Sequence, residues 1–150
     1  MSAAEPGQPN AKSAKDLQSS RREEGASEED CSHAVIGAAV EVQRILGVGL
    51  LESAYSAAFA LELAQRGLRF EREVPISGQY KGRDIGVLFR ADFIVENSVI
   101  VELKALDTVT EAHRAQLLSY LRLSGHRIGL LVNFHHAPVS RGVHRLVNKL

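Results

Sequence analysis

Within a run of apolar and β-branched residues, Asp92 precedes Glu102 by ten positions and Lys104 follows two later, in Ala91-Asp92-Phe93 and Val101-Glu102-Leu103-Lys104. Alternate residues of a strand share a face, so Glu102 and Lys104 point the same way. With Glu96-Asn97-Ser98 as a three-residue hairpin loop, Asp92 lies directly across from Glu102. Opposed carboxylates repel, and a divalent cation with a lysine beside it supplies the missing positive charge. This set of groups suits phosphodiester hydrolysis. Carboxylates hold one or two Mg²⁺ ions that polarise the phosphate and lower the pKa of a bound water, while a lysine orients that water or stabilises the developing charge. The bland competitor is a surface ion pair of Lys104 with either acid, worth about 0–1 kcal/mol. The elements around the three residues decide between these readings.

Those elements read as follows. Val35, Ala39, Val42 and Leu46 recur at helical spacing between Glu29 and Leu46, with Ile36 and Val40 widening the stripe, and Gly47 is a natural stop. A second helix spans about 50–66, with Tyr55, Phe59 and Leu63 on successive turns and Gly67 as its cap. From Leu68 to Ala105 the period becomes alternating, and Pro75, Ser77-Gly78 and Lys81-Gly82 punctuate it into strands near 69–74, 76–81, 86–95 and 99–105. In the last two, Phe89, Ala91, Phe93, Val95, Val99, Val101, Leu103 and Ala105 are expected on one apolar face, leaving Arg90, Asp92, Ile94, Ile100, Glu102 and Lys104 on the other. Thr108-Val109-Thr110-Glu111 matches a capping box for a third helix running to Ser124. Residues 127–134 read as a buried strand parallel to its neighbour, followed by a loop around Pro138 and an edge strand near 142–147.

Further polar residues are set against this scaffold. Glu52 falls in the first turn of the second helix, where the macrodipole alone favours an acid. Tyr55, one turn later, is read as core with its hydroxyl at the rim. His113, Gln116 and Tyr120 share one stripe of the third helix while Leu117 and Leu121 face the core, which brings Gln116 and Tyr120 to the cleft; His113 is unassigned. His135 and His136 are adjacent on an extended segment, point apart, and are read as a loop feature.

The 150-residue length suits one domain. No apolar run approaches the roughly 20 residues needed to cross a bilayer, and the first thirty residues lack the apolar stretch of a secretory signal, so a cytoplasmic protein without membrane association is expected. The single cysteine, Cys31, can form neither an internal disulfide nor a zinc cluster. Eighteen basic and eighteen acidic residues cancel overall. The first thirty residues nevertheless hold seven acids against four bases, and from Leu106 onward six bases and five histidines face only Asp107 and Glu111, a distribution compatible with a polyanionic partner. Residues 1–28, poor in large apolar side chains, read as a disordered tail before a domain at 29–150.

Gly49-Leu50-Leu51-Glu52-Ser53-Ala54-Tyr55, the Asp92/Glu102/Lys104 hairpin and Gln116-Leu117-Leu118-Ser119-Tyr120-Leu121 together resemble the GxxExxY family, a branch of the PD-(D/E)XK nuclease-like superfamily, over about residues 32–147. The resemblance implies an α/β, restriction-endonuclease-like core with a mixed central sheet flanked by helices. It also implies catalytic roles for Asp92, Glu102, Lys104, Gln116 and Tyr120, and Mg²⁺ or Mn²⁺ held by Glu52, Asp92 and Glu102. The implied substrate is DNA or RNA; because the chain is short and has no separate nucleic-acid-binding domain, a homodimer or a larger protein partner is expected to help grip a polymer. Two positions depart from the family pattern: Val48 stands where a proline is usual, and His135-His136-Ala137 replaces a glycine-containing turn. The alternative expectation is a non-catalytic nucleic-acid or protein binding module on the same fold.

Overall fold

The computed structural model describes residues 31–149; the expected disordered tail lies outside the described residues. Helix α1 covers residues 31–46 of the described part, α2 is Glu52–Gln65 and α3 is Glu111–Ser124. The strands are β1 Phe70–Tyr80, β2 Arg83–Val95, β3 Val99–Lys104, β4 Ile128–Asn133 and β5 Val143–Val147, in one sheet ordered β1-β2-β3-β4-β5. Only β3 and β4 run parallel, joined through α3, and every other neighbouring pair is antiparallel. This is the expected α/β architecture, a mixed sheet with helices on both faces.

Each face has its own apolar core. Val35, Ala38, Ala39 and Val42 of α1 and Tyr55, Phe59 and Leu63 of α2 pack on Phe93, Val95, Val101 and Leu103. Phe59 meets Phe93 edge to face at 5.0 Å between centroids, a favoured aromatic geometry. On the opposite face Leu117 and Leu121 of α3 pack on Ile94, Ile100 and Leu131. Gly129 lets α3 come close, because a Cβ there would stand 3.2 Å from Leu117.

The structure departs from the sequence reading in three places. β1 is a single strand through Pro75, which pairs with Arg90. It lies at the sheet edge, where a residue without an N–H is tolerated. The cap of α3 is Thr110 rather than Thr108: the His113 amide donates to Thr110 Oγ1 at 3.4 Å, and His113 Nδ1 accepts from the Thr110 amide at 3.0 Å. His113 does there what a glutamate does in the usual capping box. Finally, Phe89 and Ala91 do not share the core of Phe93 and Val95 but pack with Ile94 and Ile100 beneath α3. The phase of the hairpin therefore changes at Asp92. Its edge-strand neighbour there, Glu73, has a φ of 51° and interrupts a register otherwise continuous from Arg72↔Phe93 to Val74↔Ala91.

Tyr55 links this scaffold to the segment that leads into α2. Its ring is buried and stacked on Phe134 at 4.6 Å, and its hydroxyl donates to Gly47 O at 2.7 Å and accepts from the Leu50 amide at 3.3 Å. Gly49, at a φ of 97°, completes that turn. We predict that Tyr55→Phe, which keeps the ring and removes both bonds, lowers the unfolding free energy by about 1–2 kcal/mol. Urea denaturation checks this, and an unchanged midpoint would show that the turn holds without the hydroxyl.

Candidate active site

β2 and β3 pair through Val95↔Val99, Ile94↔Ile100 and Phe93↔Val101, around the three-residue turn expected at 96–98. The next opposed pair is Asp92 and Glu102, and there the ladder stops. Side chains take over from the backbone. The Asp92 amide donates to Glu102 Oε1 at 3.1 Å, and the Leu103 amide donates to Asp92 Oδ2 at 2.9 Å. Each acid thus satisfies a backbone N–H on the other strand at the point where the strands diverge, which an unpaired amide in the interior requires.

The electrostatics are set by burial. Glu102 is only 7 % exposed. Loss of hydration, reinforced by the neighbouring Asp92 charge, pushes its carboxyl up to about 8. Burial also raises Asp92, against the pull of the Leu103 amide and of its hydrogen bond with Glu102. Burial and mutual repulsion therefore raise both acids together and favour a proton held by the pair. The Lys104 ammonium offsets part of the negative charge of both acids. It forms no ion pair with either, so the surface salt bridge does not describe this cluster.

Glu52 opens α2 and lines a cleft of about 250 Å³ with Ser56, Arg72, Glu73 and Asp92. Lost hydration against the cleft wall, ahead of the Asp92 charge, raises its carboxyl. Arg72 crosses this cleft, donating to Ser56 Oγ at 2.8 Å and lying 5.3 Å over the Phe93 ring. Tyr120 stacks on Phe89 with centroids 3.5 Å apart, and its hydroxyl is raised by burial and then by Glu102 and Asp92, so it borders the acids. Gln116 lies one turn earlier on α3, exposed and without a hydrogen bond to the acids. Asp92, Glu102, Lys104 and Tyr120 are therefore brought together, with Glu52 reaching the group through Asp92. Among the described residues no three His, Cys, Asp or Glu side chains converge as a ready-made metal cage.

Two residues escaped the sequence reading. Glu73 faces Asp92 across the β1 break and raises both Asp92 and Glu52. Its signal was positional only, an acid opposite Asp92 on the neighbouring strand. Asn133 is buried beside Lys104 and holds the chain leaving β3, accepting from the Leu106 amide at 3.0 Å and donating to Leu106 O at 2.8 Å.

The donor set fits a hard divalent cation. Mg²⁺ is commonly held by one or two carboxylates, with water and substrate phosphate completing its shell, and Asp92 and Glu102 provide an adjacent acid pair, one half-buried at a cleft and one buried behind it, with no ion-pair partner among the described residues.

The raised acids give a signed pH dependence. Glu102 ionises near 4.5 in an unfolded chain and near 8 in the folded one, so between those values the folded state binds more protons. Stability without added metal falls as pH rises from about 4.5 through 8, and Asp92 and Glu52, also raised, act in the same sense. Urea midpoints across that range measure the slope; Glu102→Gln should flatten most of it, and an equal slope in that variant would assign it elsewhere.

No curated protein matches the chain. A family model described as the PD-(D/E)XK nuclease superfamily matches residues 29–146, from α1 to most of β5. Nucleases of that superfamily generally use divalent metal ions and act on nucleic acid. The mixed sheet, the acids at the point of strand divergence and the lysine two residues on accord with the match over these 118 positions: the chain belongs to the PD-(D/E)XK nuclease superfamily.

Proposed function

We propose that this protein is a nuclease of the GxxExxY branch that hydrolyses phosphodiester bonds of DNA or RNA with Mg²⁺ or Mn²⁺. The observation carrying the proposal is the opposed Asp92/Glu102 pair, Glu102 buried and Asp92 half-buried, set where β2 and β3 diverge and beside a Lys104 that forms no ion pair among the described residues. A sheet needing only an ordinary ladder has no use for such an arrangement. The branch assignment is supported by linked tasks within one motif: Gly49 makes the turn, Tyr55 ties it down, and Glu52 opens the helix at the cleft.

Asp92 and Glu102 would hold the cation, with Glu52 reaching it from the cleft mouth. When bound, the ion polarises the scissile phosphate and neutralises charge on its oxygens. A cation held there would compete with protonation of the two raised acids, so its affinity would rise with pH. Lys104, half-buried and without an acid partner, is placed to orient the attacking water and to stabilise charge developing on the phosphoryl oxygens. Tyr120 offers a hydroxyl beside the acids, and Gln116, one turn before it, offers an amide that donates and accepts toward a nucleotide.

Purified protein given Mg²⁺ or Mn²⁺ and labelled DNA or RNA should cleave it. Asp92→Asn and Lys104→Ala should each lower the rate on the order of 100-fold or more, with unchanged circular dichroism. Asn at 92 keeps a carbonyl for the Leu103 amide, so a loss there reports chemistry rather than folding. Full activity in Lys104→Ala would overturn the assignment, and salt-dependent binding with no cleavage under any metal would favour the binding module. A second measurement reads the shared proton. Mn²⁺ calorimetry at pH 7, in buffers of different ionisation enthalpy, should show about one proton released per ion bound; zero release would contradict the protonated pair.

A further inference from the structure

A pocket lined by Arg141, His136 and His144 lies on the same face of the sheet as the acids, two strands away from them. Glu102 is the register partner of Leu131, and Leu131 is the register partner of His144. Register partners share a face, so His144 stands about 10 Å from Glu102, two strand spacings along one row. Around it is a cavity of about 320 Å³ lined by His136, Arg141, His144, Thr108 and Asn133, with Asp107 as the acid in its lining. Arg114 of α3 is near enough that its charge, after burial and together with that of His136, holds the His144 imidazole below its usual range. Among the described residues, His136, Arg141 and His144 make no side-chain hydrogen bond or ion pair. Arg114 pairs with Glu111 through Nη1 at 3.1 Å, while its Nε is buried without a partner.

The pocket is built rigidly. Gln43 reaches across from α1, donating to Phe134 O at 2.9 Å and His136 O at 2.8 Å and accepting from the Val139 amide at 2.7 Å. Gly142 packs so closely that a Cβ would stand 2.8 Å from Asn133 O and 2.7 Å from His136 Cβ. These contacts hold the 134–142 segment as a fixed wall presenting His136 and Arg141 toward His144. The Arg141 guanidinium, without an ion-pair partner among the described residues, and the ring nitrogens of His136 and His144, without hydrogen-bond partners there, line one concavity, and a guanidinium beside imidazole N–H donors matches phosphate oxygens.

We propose that this pocket binds a phosphodiester of the substrate strand flanking the one at Asp92 and Glu102. The assignment rests on the nuclease reading for its substrate but not for its test. Asn133, between the two sites, then positions both: it neighbours Lys104 on one side and lines the pocket on the other.

The test is fluorescence anisotropy of labelled single strands of DNA and of RNA, with and without a 5′-phosphate, titrated with salt in the presence of a metal chelator. Arg141→Ala combined with His144→Gln should weaken binding on the order of tenfold or more and reduce the slope of log affinity against log salt by about 0.7 for each phosphate no longer neutralised. Arg122→Ala, on the last turn of α3 away from the pocket, should keep the slope. Equal affinity and slope in the double variant overturn the proposal, as does wild-type protein that binds neither strand. A deficit seen only with 5′-phosphorylated strands also overturns it, because the pocket would then hold a strand end. Since metal is excluded, a protein that binds in this way but never cuts contradicts the nuclease reading alone.

Discussion

Two carboxyl groups opposed on neighbouring strands, one of them buried, repel each other unless charge is compensated, and much of this structure is arranged around that constraint. Burial and mutual repulsion raise Asp92 and Glu102 together. The strands that bear them separate at that level, and the unpaired amides of Asp92 and Leu103 turn to the acids instead of to carbonyls. The Lys104 ammonium on the same strand face offsets part of the negative charge without pairing to either acid. Both acids are accordingly raised, so a proton held by the pair relieves the repulsion.

Other features follow from the divergence. Once β2 departs from β3, the hairpin β1/β2 continues past the sheet with its phase changed, so Phe89 and Ala91 lie under α3 while Phe93 lies under α2. Glu73 takes a left-handed conformation opposite Asp92. Strain of that kind, costing of order 1–3 kcal/mol, is held in place by regular pairing on either side. α3 then rests on the hairpin through the Tyr120 and Phe89 stack, which brings the Tyr120 hydroxyl to the acids. The α2 end of the site is fixed separately, by Tyr55 holding the turn before Glu52.

Much of this was legible in the residues. Alternation and the Glu96-Asn97-Ser98 turn were enough to oppose Asp92 and Glu102, because a period of two leaves no freedom of face once the loop length is fixed. The parallel β4 followed from an apolar run after a helix. What escaped depended on context beyond the local sequence. Pro75 signals a break unless its strand is known to lie at an edge, and residue type gives no warning that Glu73 adopts a positive φ. The cap of α3 moved by two residues because an imidazole can stand in for a carboxylate. His136 looked like a loop residue and is one. Its place beside Arg141 and His144 depends on how Gln43 and Gly142 fold that loop, which no local pattern records.

The reciprocal bonds between Asp92 and Glu102 and the facing backbone make these acids mortar between two strands, whatever else they do. An acceptor at each position is needed for the sheet to separate there without orphaned amides, whatever reaction the protein performs. A protein of this architecture without nuclease activity would therefore still be selected to keep oxygen-bearing side chains at both places, whereas Lys104, which forms no ion pair among the described residues, would be free to drift. In chains of this architecture, persistence of the acids reports the joint, and persistence of the lysine reports the work done there.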